Sequence, residues 1–263
     1  MSIRHFLGRV VLASALTIAV TPAFAGKLFI SGQDSDDSGH VSTAFGAQML
    51  NFLASGNTNM GSGILILGGN TSTSATTIAT WNGVASQTLT AASGAAAIAA
   101  QSFAGYAGIL MPSADTQTSG GISQAELDAI NARAGDIATF VNTGGNLMAF
   151  TEQGLTGAFG WFPLGALSTS SISTADVSQT AALLAAGLTA TNAEIAGDLY
   201  HNNFTGPSGF FGLSVLARDN ATGEAVILGG GVETQITTPE PASLAILAMG
   251  LAGLGAIRRR RAA

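Results

Sequence analysis

The chain has no cysteine, and only 9% of its residues carry a charge. The first absence excludes disulfide bonds, thiol nucleophiles and cysteine-ligated metal centres, so an exported form of this chain must be held by its core alone. The second falls well below the ~25% usual in soluble domains and makes the surface one of neutral polar groups. Cations are scarcest in the middle. Of nine Lys and Arg, six lie near the ends, which leaves Lys27, Arg133 and Arg218 for the body. Fourteen acidic residues outnumber those three, a net charge of about −11. A body so acidic offers no footprint for nucleic acid or anionic lipid.

What is present is informative first at the two ends. Arg4 and Arg9 form a basic n-region, Val10 to Val20 an apolar h-region, and Ala23-Phe24-Ala25 a small-x-small cleavage site. Residues 1–25 therefore read as a signal peptide cut by signal peptidase, with a mature start at Gly26. At the other end, Pro239 and Pro241 each fix φ and lack an N–H, which keeps the segment through Glu240 extended. From Ala242 to Ile257 no residue is charged. As a helix this run reaches roughly 24 Å, a little short of a ~30 Å hydrocarbon core, which suits a temporary transmembrane anchor. Arg258, Arg259, Arg260 and Arg261 follow it and would lie on the cytoplasmic side.

This tail closely resembles the PEP-CTERM sorting signal of exported bacterial proteins: Pro239-Glu240-Pro241, the apolar span and the arginine cluster match in order and spacing. The resemblance implies recognition by an exosortase, a membrane protease that removes the tail near the motif. It also implies a transient stay in the inner membrane, followed by the cell surface or the extracellular matrix, with extracellular polysaccharide as a partner.

The body alternates apolar strands with helical stretches. Lys27 to Ser31, Ile64 to Leu67, Tyr106 to Met111 and Asn146 to Phe150 read as buried strands. Thr43 to Ala54 reads as a helix, Ala91 to Phe103 as an alanine-rich helix, and Val177 to Ala186 as a late one. Ser123 with Glu126 makes a capping box, and Leu127, Ile130, Ala134, Ile137 and Val141 mark the apolar face of one helix running to about Asn142. Thr71 to Thr90 fits either an edge strand or a long loop. Leu213 to Ala217 and Ala225 to Leu228 read as strands joined through Asp219 to Gly223. This alternation predicts an α/β fold with a mostly parallel, doubly wound sheet. The expected organisation is an α/β domain over 26–228, a linker over 229–238 and the sorting signal over 239–263.

Tyr106 to Gly154, with Gly187-Leu188-Thr189 and Tyr200-His201-Asn202, resembles the class I glutamine amidotransferase-like superfamily and its ThuA-like branch. That resemblance implies a flavodoxin-like three-layer sandwich. The family's nucleophilic cysteine follows the strand ending here at Phe150. Thr151-Glu152-Gln153-Gly154 stands there instead, and Glu152 cannot attack an amide as a thiolate does. No Gly-x-Ser-x-Gly elbow replaces it.

The loop after the first strand carries the densest chemistry. Asp34, Asp36, Asp37 and His40 can ligate a metal, and Asp34, Asp36, Ser38 and Gly39 imitate the start of a calcium loop. The imitation fails at its twelfth position, where Phe45 replaces a bidentate glutamate. A solvated, helix-capping acidic turn explains the same residues. Were the ion zinc, His40 and His201 are the imidazoles the mature body offers. Glu152 and His201 are catalytic candidates if they share a crevice, and solvated loop residues otherwise. Trp81, Trp161, Phe159 and Phe162 suit either sugar stacking or the core. Two classes follow: a non-catalytic exported binding domain, or a metal-dependent hydrolase or carbohydrate-active enzyme using the Asp34 to His40 loop.

Overall fold

The computed structural model describes residues 26–37, 39–69, 73–114, 121–150, 154–195 and 201–231. Its first half is a series of strand and helix units. Strand β1 (Lys27–Ser31) leads through a loop to α1 (Thr43–Ala54), which Ser42 caps by accepting the Phe45 N–H. Then follow β2 (Ile64–Leu67), α2 (Thr73–Ala85), β3 (Leu89–Ala92), α3 (Ala95–Ala100), β4 (Gly108–Met111), α4 (Gln124–Asn131), α5 (Ala134–Asn142) and β5 (Asn146–Phe150). The second half is richer in strands: β6 (Ser168–Ser173), β7 (Val177–Gln179), α6 (Ala181–Ala185), α7 (Asn192–Ile195), β8 (His201–Gly206), β9 (Ser214–Asp219) and β10 (Ala225–Gly231).

The first five strands are all parallel, in the order β3-β2-β4-β5-β1. The order reverses between β2 and β4, because β3 lies on one side of β2 and β4 on the other. Strand β10 extends the sheet antiparallel to β1, and it also pairs with β9 and β8. Residues Ile227 to Gly229 of β10 bond to both β1 and β9, so those two take opposite edges. Ala225 pairs with both Arg218 of β9 and Phe204 of β8, so β8 shares the β1 edge, beyond the carboxyl end of β1. The Gly32 carbonyl accepts the Asn202 N–H there, and Gln33 bridges His201. The β6–β8 ribbon thus flanks the carboxyl end of the parallel sheet.

Alternate strand residues feed two cores. Leu28, Ile30, Leu65, Leu67, Ile109, Met111 and Leu147 pack toward α3, α4 and α5. Phe29, Ile64, Ile66, Leu110, Met148 and Phe150 pack toward α1 and α2, where Trp81 meets Phe150 edge-on at 5.9 Å between ring centres. The molecule is an α/β structure built on a mixed sheet.

Several sequence expectations change. Thr71 to Thr90 holds α2 and the start of β3. Ala91 and Ala92 lie in β3, paired with Ile66 and Leu67, and Gly94 at φ 84 separates the strand from a shorter helix. The single helix expected to Asn142 breaks at Ala132 and Arg133, where the Arg133 guanidinium donates to the carbonyls of Ile98 and Gln101 and lies 3.9 Å from the Phe103 ring centre. Val177 begins a strand because β9 is there to pair with it. Gly229, Gly230 and Gly231, read as the start of a linker, continue β10 as far as Lys27. Trp81 and Trp161 are core residues, each 1% exposed, and offer no face to a sugar. The signal peptide and the C-terminal helix lie outside the described residues. No helix among the described residues is long and apolar enough to cross a membrane.

Candidate functional site

Buried polar side chains concentrate at the carboxyl end of the sheet. Ser31, Gln33, Asp34, Ser35 and Asp36 leave β1, Ser113 follows β4, Ser74 opens α2, and His201, Asn202, Asn203 and Asp219 come from β8 and β9. Ligands of open parallel sheets bind at this end, in the crevice where strand order reverses.

Asp36 lies at that end of the sheet, against the segment that follows β4. It is fully buried, and both its carboxylate oxygens accept the Ser113 N–H, at 3.2 and 3.1 Å. The loop after β1 therefore passes beyond β5 to the end of β4 and places a carboxylate at the first turn of α2. Burial pushes the Asp36 carboxyl up to about 6, against the opposing pull of its Ser113 contacts. Gly68 and Gly69, at φ 87 and 65, let the β2 exit approach closely: a Cβ would lie 2.4 Å from Ile122 at Gly68 and 2.5 Å from Pro112 at Gly69.

The other three loop candidates come together. His40 Nδ1 lies 2.5 Å from Asp34 Oδ1, and His40 Nε2 lies 3.9 Å from Asp37 Oδ2. Each residue can offer one ligand atom within 4.8 Å of the others. Two carboxylates and one imidazole suit a first-row transition metal better than calcium, which takes six to eight oxygens. The same geometry is also an imidazole clasped between two carboxylates. Asp36, the fourth candidate, faces Ser113 instead. The Asp37 N–H donating to the Asp34 carbonyl closes the turn that sends these side chains apart.

His201 is a strand residue with no exposed surface, in place of the solvated loop position read from its asparagine-rich neighbourhood. Its Nε2 lies 3.3 Å from Asp219 Oδ2. Asp219, which the sequence reading did not select, is the hub here. It accepts from the Ser173 hydroxyl at 2.5 Å, from Asn203 Nδ2 at 3.0 Å and from the Ala221 and Thr222 N–H groups. Burial works the other way, yet these donors hold its carboxyl below the usual carboxylate range. The Asp219 to Gly223 turn was legible as a hairpin, but its role as a buried anion depends on Ser173 and Asn203 from other strands. Glu152 lies outside the described residues.

All three cations of the described residues are engaged. Lys27 sits 4.3 Å from the Phe52 ring centre, Arg133 pairs with Asp136, and Arg218 donates to the Gly223 carbonyl. Surface clefts of about 570, 580 and 550 Å³ lie away from the metal candidates, and the last is lined by Phe159, Phe162 and Leu167.

No curated protein matches this chain, and no solved structure does. Residues 237–261 match the family model of the PEP-CTERM protein-sorting motif. That signal marks the chain as an exported protein, anchored transiently in the membrane through its C-terminal segment and processed by an exosortase.

Proposed function

We propose that the exported domain works outside the cell as a non-catalytic binding or display module, at the cell surface or in the polysaccharide matrix. The observation that carries this reading is Asp36: a buried carboxylate of the chain's own loop lies at the end of the sheet where a substrate would bind. The cleft beside the partly buried Phe159 is the place this reading gives to a sugar chain. Signal-peptidase cleavage after Ala25 fits the start of the fold, since the Gly26 N–H already donates to the Val141 carbonyl and β1 begins one residue later. The order β3-β2-β4-β5-β1 is the flavodoxin order 2-1-3-4-5 with its last strand moved to the start of the chain. This supports a permuted flavodoxin-like relation to the amidotransferase-like body.

A second reading, a metal-dependent hydrolase, is favoured by the approach of Asp34, Asp37 and His40. The two separate in an assay of purified full-length protein with zinc, manganese or calcium on ester and glycosidic substrates. The binding module shows no turnover above its Asp34→Ala and His40→Ala variants. Metal-dependent turnover abolished by both substitutions overturns it in favour of the hydrolase.

A further inference from the structure

Three buried polar atoms where the β1 exit meets β8 have no hydrogen-bond partner: Gln33 Oε1, His201 Nδ1 and Asn203 Oδ1. Their residues are at most 1% exposed, so water outside the molecule does not satisfy them. They are also neighbours. Gln33 and His201 form a bridge pair, which sets their side chains side by side on one face, and His201 and Asn203 are two apart on β8 and share that face. His201 Nε2 and Asn203 Nδ2 meet at the same oxygen, Asp219 Oδ2.

The partners already present fix the chemistry of the unpaired atoms. Gln33 Nε2 donates to the Ile195 carbonyl at 2.8 Å, which can only accept, so the free end of that amide is its oxygen. Asn203 Nδ2 donates to the Asp219 carboxylate and to Thr222 Oγ1, so its free end is also an oxygen. When Nε2 of His201 donates to the carboxylate, Nδ1 is the ring nitrogen left to accept. His201 and Asn203 touch the Asp219 carboxylate, Gln33 is paired with His201, and no lysine or arginine among the described residues reaches the unpaired atoms. Such a lining rejects anions and calls for a compact group that donates several hydrogen bonds.

We infer that Gln33, His201 and Asn203 form a buried site for a small donor cation of the ammonium class, held beside the Asp219 carboxylate. Ammonium supplies one N–H to each unpaired atom and places its charge near the anion. Sodium and potassium match the charge but donate nothing, and they distinguish the site from a general ionic effect. Binding closes the contact of the β1 exit with β8 and β9, so occupancy is read as stability.

The test compares thermal unfolding of the purified full-length protein in ammonium, sodium and potassium chloride at equal ionic strength, followed by NMR with ¹⁵N-ammonium. At ten times Kd the midpoint in ammonium rises by about 3 °C over sodium and potassium. A protected ¹⁵N-ammonium resonance appears, and Gln33→Met and Asn203→Leu each remove the difference. Equal midpoints in the three salts with no protected resonance overturn the proposal and assign the atoms to buried water. An ammonium effect that survives both substitutions also overturns it, by placing the ion elsewhere. Where a variant fails to fold, the protected ¹⁵N-ammonium resonance of the wild type locates the ion: contacts to the His201 ring protons support the site, and a protected resonance without them overturns it.

Discussion

Asp36 and Asp219 are both buried carboxylates, but their surroundings move their proton affinities in opposite directions. The folded-state value of Asp36, about 6, lies above the ~3.9 of a free aspartate, so the native state holds this proton more tightly than the unfolded chain does. Its contribution is complete below about pH 4 and is lost as pH rises through 6, on the order of 3 kcal/mol over that window. Asp219 is held low by its donors, so its contribution is present above about pH 4 and is lost as pH falls further. For these two groups taken together the contribution is largest near pH 4 and falls toward neutrality as Asp36 ionises. Asp36→Asn removes the decline between pH 4 and 6 and keeps the acid limb. Urea unfolding at pH 4, 5, 6 and 7 measures this, and a variant with the wild-type slope contradicts the assignment. The same two residues show what was legible at this scale. Asp34, Asp37 and His40 lie within seven positions of one another and could be read as a cluster. The orientation of Asp36 depends on Ser113, 77 positions away, and the burial of His201 depends on strands whose pairing no local pattern announces.

At the scale of elements, strands buried on both faces were readable because their apolar runs are continuous, as in Ile64 to Leu67 and Asn146 to Phe150. Strands β6 and β8 were not. STSSIS and HNNFTG carry too few apolar residues for a period to show, and their partners supply the order that their own sequences lack. Helix α2 was missed for a related reason: its threonines are poor helix formers, and only Ser74, Ile78 and Trp81 are buried along it. The contact of α1 with α2 lets two glycines test packing against propensity. A Cβ on Gly46 of α1 would lie 2.3 Å from the Trp81 ring, whereas one on Gly83 of α2 would meet nothing within 4 Å. Each Gly→Ala change gains up to ~1 kcal/mol of helix propensity, while overpacking a rigid ring costs ~1–3 kcal/mol. Gly83→Ala therefore raises the unfolding midpoint by about 2 °C, and Gly46→Ala lowers it by several degrees. Calorimetry of the two variants checks this. A stabilised Gly46→Ala protein would mean that Trp81 does not pack against α1 as described.

At the scale of the whole molecule, the two kinds of information in this chain are separate. The fold occupies the stretch that begins at Gly26 and includes β10 through Gly231, while the matched sorting motif covers residues 237–261. The acidic residues other than Glu240 belong to the body and the arginine cluster to the matched motif. Among the described residues, the sheet and both cores are built from residues 27–231. Changing the motif should therefore alter delivery and leave folding untouched. Replacing Pro239, Glu240 and Pro241 with alanines removes the residues for which the sorting motif is named. The expected result is a full-length protein retained in the membrane fraction, with the same unfolding midpoint for the α/β domain as the wild type. Fractionation with mass spectrometry of the C-terminus reads the first outcome, and calorimetry reads the second. Normal release of a shortened product would show that the protease does not read this motif. A lowered midpoint would show that the tail takes part in the fold, and delivery and structure would then not be separate.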